Sequence, residues 1–305
     1  MATISTEELH IFHRIDREMF KLLIFKLHRD IAESILIIAL WFWLESIGYP
    51  NLIFKVKAQI DTIINILANE AVDCLKTLEA GNPNIVNGGG LRLTKVLVEK
   101  DISIKIFIEQ RYTVIAGIKS VLKNICAPIF EDILRIILKN NYTHKTSTSS
   151  RAIASKTPLV VPGFPHPIFG TFDIPSKKMN LDLLDTRIWV KNLPFSDVSD
   201  DDKAMFLTFS HGFPMSTKNV AQLIKSAYGD CVQSITLGIV DKDDQPLYAI
   251  MVLDSVEALD RILKGKRIAN YQIGWKQIWA CKYEPHNWMV KDLENSTKLE
   301  SRYHM

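Results

Sequence analysis

A polar segment at residues 140–157 divides this chain into two parts with different hydrophobic periodicities. The segment is rich in Ser, Thr and Asn and contains no carboxylate, so it cannot bury enough apolar surface to offset the entropy of ordering. We therefore expect a flexible linker there. The predicted organisation is a helical domain, a basic and Pro-rich linker, a second domain and a C-terminal tail, at residues 1–139, 140–185, 186–284 and 285–305.

The later part of the linker contains several Pro residues with Phe164, Phe169 and Phe172 between them. Such a stretch is either an extended arm that packs on a domain or a ligand for a proline-binding partner. We favour the packed arm, because the three aromatic rings need cover from water.

Apolar residues before the linker recur at three- and four-residue spacing, which indicates α-helices. Asp30 is a candidate cap for one of them, with Glu33 as its reciprocal partner. The last helical stretch, over residues 103–139, should be split or kinked at Pro128, because proline lacks the N–H that the helix needs. This part shows no motif for a ligand, and we expect it to serve as a protein-interaction or dimerisation surface.

The most apolar run of the chain covers residues 35–44 and is bracketed by Glu33 and Glu45. A membrane-spanning helix needs about 20 apolar residues, so this run is too short. It is typical of a buried helix, with a helix at a membrane surface as the weaker alternative. We expect no membrane partner.

The charge is nearly balanced over the chain, with 37 basic and 34 acidic side chains. The second domain has 12 of each, and the surplus lies in residues 139–185. Neither domain therefore has the basic field expected of a non-specific nucleic-acid binder, and any such binding needs a local patch.

Catalytic and metal-binding signatures are absent from the sequence. The 4 cysteines form no CxxC pair, so we expect reduced thiols and no metal site. We find no nucleophile elbow and no His-Glu-x-x-His helix, and we expect neither a cofactor nor enzymatic activity. The N-terminus lacks a signal peptide, which favours an intracellular protein in the nucleus or cytoplasm.

The second domain contains alternating apolar and polar segments that predict strands, separated by helical stretches at about 216–228 and 256–264. The predicted strands cover residues 187–193, 231–238, 247–253 and 277–283. The order βαββαβ is the ferredoxin-like, split-βαβ arrangement, in which helices cover one face of an antiparallel sheet and the other face stays open. The predicted fold class is thus a helical domain followed by an α+β domain.

Two segments of this domain resemble the RNA recognition motif (RRM) family. Ile188-Trp-Val-Lys-Asn-Leu193 matches the first signature of that family, and Leu247–Leu253 is similar to the second. The resemblance covers about residues 187–284. The whole chain is similar to plant RRM-containing proteins with a helical N-terminal region, in which a segment like Met205–Ser210 is an insertion after the first strand. Ser199–Asp202 has the pattern of a helix cap, which predicts an extra turn of helix over Lys203–Phe209.

The resemblance implies binding of single-stranded RNA through the open sheet face. Strand side chains alternate between faces, and the strand order of the family would align Trp279, Trp189 and Tyr248 across the sheet. Aromatic rings in such a row stack on unpaired bases, and Arg or Lys beside them can meet phosphates. The predicted RNA-binding residues are Trp189, Tyr248, Trp279, Arg187, Lys191 and Ile250.

A protein-binding module is the alternative. Ile250 stands where the family usually has an aromatic residue, and Pro246 and Leu247 replace a basic residue and a glycine. Domains with such degenerate signatures often bind a peptide or a helix. The partner would contact the sheet or the predicted insertion at 205–213.

Overall fold

The computed structural model describes residues 3–80, 90–145, 159–174, 181–182, 198–209, 215–238, 246–273 and 276–284. The chain divides into two compact units, Met1–Asp197 and Val198–Met305. Helices dominate the first unit, and the second contains a five-stranded antiparallel sheet together with helices.

The first unit consists of helices and two short β-ribbons. Its helices are α1 (Thr6–Phe12), α2 (Arg14–Lys21), α3 (Ile31–Ser46), α4 (Leu52–Lys57), α5 (Asp61–Ala80), α6 (Arg92–Val98), α7 (Lys105–Glu109), α8 (Arg111–Val121) and α9 (Ala127–Lys145). The ribbons pair β1 (Thr3–Ile4) with β4 (Leu181–Asp182), and β2 (Leu159–Val160) with β3 (Asp173–Ile174). A π-helical turn, Leu122–Cys126, separates α8 from α9 just before Pro128. The predicted break at this proline is therefore confirmed.

Helix α3 is the centre of the helical core. Asp30 caps it by accepting the Glu33 N–H at 3.1 Å, as predicted, but the Glu33 side chain accepts from Arg29 instead of returning to the cap. The helix is apolar on every side, and Trp41 and Trp43 are fully buried. The prediction of a buried helix is thus confirmed. None of the described helices is long and apolar enough to cross a membrane.

Carboxylates from other helices cap two helices that have no side-chain cap of their own. Glu45 on α3 accepts the Ile53 N–H of α4 at 3.0 Å. Glu70 on α5 accepts the N–H groups of Leu93 and Thr94 at 2.8 and 2.9 Å, and the Thr94 hydroxyl at 2.7 Å. The first N–H groups of a helix have no partner within it and carry partial positive charge. Each carboxylate therefore stabilises a helix start and holds two helices together.

We predict that Glu70→Gln lowers the free energy of unfolding of the helical unit by about 1–2 kcal/mol, because an amide has one acceptor oxygen for three donors. Urea denaturation followed by circular dichroism measures the change. Glu109→Gln is the matched control, since Glu109 is exposed and makes no ion pair with a described residue. Equal unfolding midpoints for the two variants would contradict the capping role.

An ion-pair network joins the first two helices to α9. Arg17 donates to both carboxylate oxygens of Asp132, at 2.8 and 2.7 Å, and to the carbonyl of Ile129. Burial acts to raise the pKa of Asp132, but the hydrogen bonds and charge of Arg17 outweigh it and hold that pKa below the ordinary value. His10 lies 3.8 Å from Asp132, and burial, followed by the charge of Arg17, lowers the pKa of His10.

Both pKa shifts predict a loss of stability in acid. A group whose pKa is lower in the folded state favours unfolding when it must take up a proton. The contribution of His10 to the free energy of unfolding is complete above its ordinary pKa of 6.5. It is lost as the pH falls through the lower pKa of the folded state. We predict that His10→Gln reduces the fall in unfolding free energy between pH 7 and pH 5, while the exposed-site control His28→Asn preserves it. Chemical denaturation at a series of pH values tests this, and parallel curves for wild type and His10→Gln would refute it.

The Pro-rich stretch packs against the helical unit over its described residues 159–174. Val161, Phe169 and Phe172 are buried. Gly163 has φ +92° and lies so close to Ala32 that a Cβ at this position would stand 2.5 Å from the Ala32 Cβ. The prediction of a packed arm is confirmed for this stretch. Helix α9 extends to Lys145, so the linker start predicted at residue 140 is wrong. Residues 146–158, 175–180 and 183–185 of the predicted linker lie outside the described part of the chain.

The described residues of the second unit form an antiparallel sheet and three helices. The helices are α10 (Asp200–Lys203), α11 (Thr217–Tyr228) and α12 (Val256–Leu263). The strands are β5 (Ala204–Phe209), β6 (Val232–Leu237), β7 (Tyr248–Leu253), β8 (Ile268–Ile273) and β9 (Lys276–Lys282). Their order in the sheet is β6-β7-β5-β9-β8. Serine side chains set the three helix starts, since Ser199, Ser216 and Ser255 each accept the N–H three residues on.

The segment Ala204–Phe209 corrects two predictions. It is the central strand β5, so the extra turn of helix expected over Lys203–Phe209 is wrong, and residues 205–209 are not an insertion. The capped helix α10 exists, but it ends at Lys203. Strand β5 pairs with β7 on one side and β9 on the other, which satisfies its backbone on both edges. It thus holds the position that the sequence analysis assigned to 187–193, a segment outside the described residues.

Candidate nucleic-acid interface

The sheet of the second unit has one face packed on α11 and α12 and one face that stays exposed. Alternate side chains of the three central strands are buried towards the helices, namely Met205, Leu207, Phe209, Ala249, Met251, Leu253, Ile278 and Ala280. The side chains between them lie on the other side, which we call the open face. Its residues on these strands are Phe206, Thr208, Tyr248, Ile250, Val252, Gln277, Trp279 and Cys281.

The register of the central strand brings the residues of the open face into rows. Thr208 pairs with Tyr248 on β7 and with Trp279 on β9. Phe206, two residues earlier, pairs with Ile250 and with Cys281 in the same way. Two adjacent rows therefore cross the middle of the sheet, and Phe206 lies diagonally between the two exposed rings.

Tyr248 and Phe206 form one continuous aromatic surface. Their ring centroids are 5.3 Å apart and their planes differ by 24°, a stacked arrangement that contributes about 0.5–1.5 kcal/mol beyond burial. The Tyr248 ring also lies against Gly238, the residue after β6. A Cβ on Gly238 would stand 2.6–2.9 Å from three ring atoms of Tyr248. The absence of a side chain at residue 238 is what allows the ring to lie there.

Trp279 provides a second aromatic surface on the neighbouring strand. Its side chain is 47% exposed, compared with 39% for Tyr248. Asn270 on β8 pairs in register with it, and Asn270 is exposed as well. An amide therefore lies beside an accessible indole ring at this edge of the sheet.

The structure brings three of the six predicted site residues together. Tyr248, Ile250 and Trp279 share the open face, as the alternation of their strands predicted. Arg187, Trp189 and Lys191 lie outside the described residues. The predicted alignment of Trp189 between Tyr248 and Trp279 is wrong, because β5 occupies that position.

Phe206 is the aromatic residue that the sequence analysis missed. Five of the six residues of β5, all but Thr208, are apolar, so its alternation is hidden, and the preceding acidic residues suggested a helix instead. Every second residue of β5 is buried, and this pattern would have identified the strand. It cannot be read from the sequence, because burial depends on which strands and helices pack against β5.

The charge around the open face is balanced. Residues 198–284 contain 10 basic and 11 acidic side chains. Among the described residues, no group of three or more His, Cys, Asp and Glu is placed to hold a metal ion. Burial raises the pKa of the Cys231 thiol, so this thiol is protonated at neutral pH. The open face thus offers rings and amides in place of ionised groups.

Comparison of the chain with family models, curated proteins and solved structures gives no match. The case for a function therefore depends on the geometry of the site.

Gly238→Ala should displace the Tyr248 ring. Gly238 does not have a left-handed φ, so its backbone accepts alanine and the clash with the ring is the main cost. We predict a loss of about 1–3 kcal/mol in the unfolding free energy of the second unit, from overpacking. In a Tyr248→Ala background the same substitution should cost almost nothing. A double-mutant cycle by chemical denaturation measures this coupling, and additive losses would show that residue 238 does not position the ring.

Proposed function

We propose that the second unit binds single-stranded RNA on its open face, with Tyr248, Phe206 and Trp279 as the stacking residues. The observation that carries the proposal is that these three aromatic side chains share one sheet face, two of them with rings accessible to solvent. Unpaired bases stack on such rings, whereas the bases of a duplex are already stacked on each other. The face therefore fits a single strand better than a double helix.

We also propose that this unit has a ferredoxin-like RRM fold. The chain order β5-α11-β6-β7-α12-β9 and the spatial order β6-β7-β5-β9 support it, since they are those of a split-βαβ sheet. Strand β8 would then be an addition at one edge. Phe206 takes the first-strand position that the sequence analysis gave to Trp189. The ring of Phe206 would supply the stacking surface that is missing at Ile250, where the family usually has an aromatic residue.

Stacking, more than charge, would supply the affinity. Each base stacked on an aromatic side chain contributes about 1–3 kcal/mol. Three rings can therefore give useful affinity in a unit without a surplus of positive charge. Trp189, Arg187 and Lys191 remain proposed contacts, which single Ala substitutions in the assay below can test.

We predict that Tyr248→Ala with Trp279→Ala weakens binding of a short, labelled single-stranded RNA by at least about tenfold, because two stacking surfaces are lost. Fluorescence anisotropy with the full chain at fixed salt measures the change. Tyr248→Phe with Trp279→Phe is the control, since it keeps both rings and should bind nearly as the wild type does. A wild-type chain that fails to bind, or a folded Ala variant with unchanged affinity, would refute the proposal.

A protein partner on the same face is the second candidate. The specific observation in its favour is that Ile250 and Val252 lie beside the rings, and that Ile268 on β8 is 58% exposed. These aliphatic side chains suit an apolar peptide, which would displace RNA and bind with little dependence on salt.

We propose that the helical unit contributes an interaction or dimerisation surface. Ile11, Ile60 and Val96 support this, since each is at least 70% exposed in a unit whose core is otherwise well buried. Sedimentation velocity of the full chain distinguishes a dimer from a monomer.

A further inference from the structure

A cluster of positive charge precedes the edge strand β8. Lys264, Lys266 and Arg267 follow one another closely after α12, and all three side chains are exposed. We call Lys264–Arg267 the basic turn. Ion pairs among the described residues of this unit involve Lys203 and Lys225, not the three cations of the turn. No ion pair within the described residues neutralises these three charges.

The backbone holds the basic turn in place. Lys264 and Gly265 both have positive φ, at 51° and 70°, which reverses the chain at the end of α12. The Lys264 N–H donates to the backbone carbonyl of Asp260 at 2.8 Å, and the Lys266 N–H donates to the carbonyl of Leu263 at 2.9 Å. These bonds fix the turn next to the start of β8. None of its three cations forms an ion pair with a carboxylate of the described residues.

Charge is distributed unevenly along the sequence of this unit. The segment 239–245, which links β6 to β7, contains three Asp and one Lys. Strands β6 and β8 are the two opposite edges of the sheet. The cations of the basic turn therefore adjoin one edge strand, whereas the seven residues that follow the other edge strand in the sequence carry net negative charge. A polyanion on the open face would be drawn towards β8.

The basic turn lies within reach of a strand stacked on Trp279. Asn270 is in register with Trp279, and it lies three positions after Arg267 in the chain. At ~3.3 Å per residue, this is about 10 Å along the edge strand. Ile268, which is 58% exposed, is the open-face residue between these two points, and the exposed Asn270 makes no side-chain hydrogen bond to another described residue. A short single strand can therefore cross β8 beside the Asn270 amide, pass Ile268 and reach the cations.

We propose that the basic turn is a phosphate-binding subsite, over which the backbone of single-stranded RNA leaves the stacking surface across β8. This inference rests on the proposed function of the open face. The site would then have two parts that bind the RNA through different interactions. The rings bind bases with little dependence on salt, whereas the turn binds phosphates and releases counterions, which makes its contribution depend steeply on salt.

The test is the salt dependence of RNA binding by the full chain. The variant Lys264→Gln/Lys266→Gln/Arg267→Gln removes the three charges and keeps the side-chain lengths similar. The control Lys218→Gln/Lys225→Gln/Arg261→Gln removes two Lys and one Arg that are exposed on the helices of the same unit. Anisotropy titrations at several KCl concentrations with one single-stranded RNA give the slope of log K against log salt. Thermal unfolding confirms that each variant is folded.

Three lost phosphate contacts should make that slope shallower by about 2, at about 0.7 per contact, with about a hundredfold weaker binding near 0.1 M salt. The control triple should keep the wild-type slope, and Tyr248→Ala/Trp279→Ala should lower affinity without changing the slope. A wild-type slope in the turn variant would overturn the subsite and leave the stacking proposal intact. An equal change in the control would also overturn it, because the effect would then be one of net charge. A wild-type chain that does not bind RNA would overturn both proposals.

Discussion

The pairing of β5 on both of its edges is the constraint on which the second unit depends. Met205 and Leu207 are held against the helices by this register, so Phe206 and Thr208 must lie on the open face. A slip of one residue would exchange the two faces, burying the ring of Phe206 and exposing the core side chains. The stacked pair of Phe206 with Tyr248 is thus a consequence of backbone hydrogen bonds in the middle of the sheet.

In the proposed site, the open face and the basic turn would make two kinds of contact. The rings of Tyr248 and Trp279 are accessible because the described helices α11 and α12 pack on the opposite side of the sheet. The cations at 264–267 lie at one edge because a left-handed turn ends α12 there. A balanced overall charge is compatible with nucleic-acid binding when a small group of cations lies near the rings. Such an arrangement limits non-specific attraction, since distant phosphates meet no extended positive field.

Features that depend on a few neighbouring residues could be predicted from the sequence. The caps at Asp30 and Ser199, the break at Pro128 and the buried helix α3 belong to this group, because each is decided within one or two helical turns. The faces of Tyr248 and Trp279 also followed from strand alternation. The outward face of Phe206 could not be predicted in this way, because the residues before and after it are also apolar and the sequence shows no apolar–polar alternation there.

The sequence by itself determined the helical character of the first part of the chain and the outward placement of two aromatic residues. Only the tertiary structure decided which segment is the central strand, that β8 forms one edge of the sheet, and that Glu45 and Glu70 cap helices other than their own. It also decided that Gly238 must lack a side chain. The reason is physical: local periodicity selects helix or strand, whereas strand order, remote caps and close approaches arise from contacts between residues far apart in the chain.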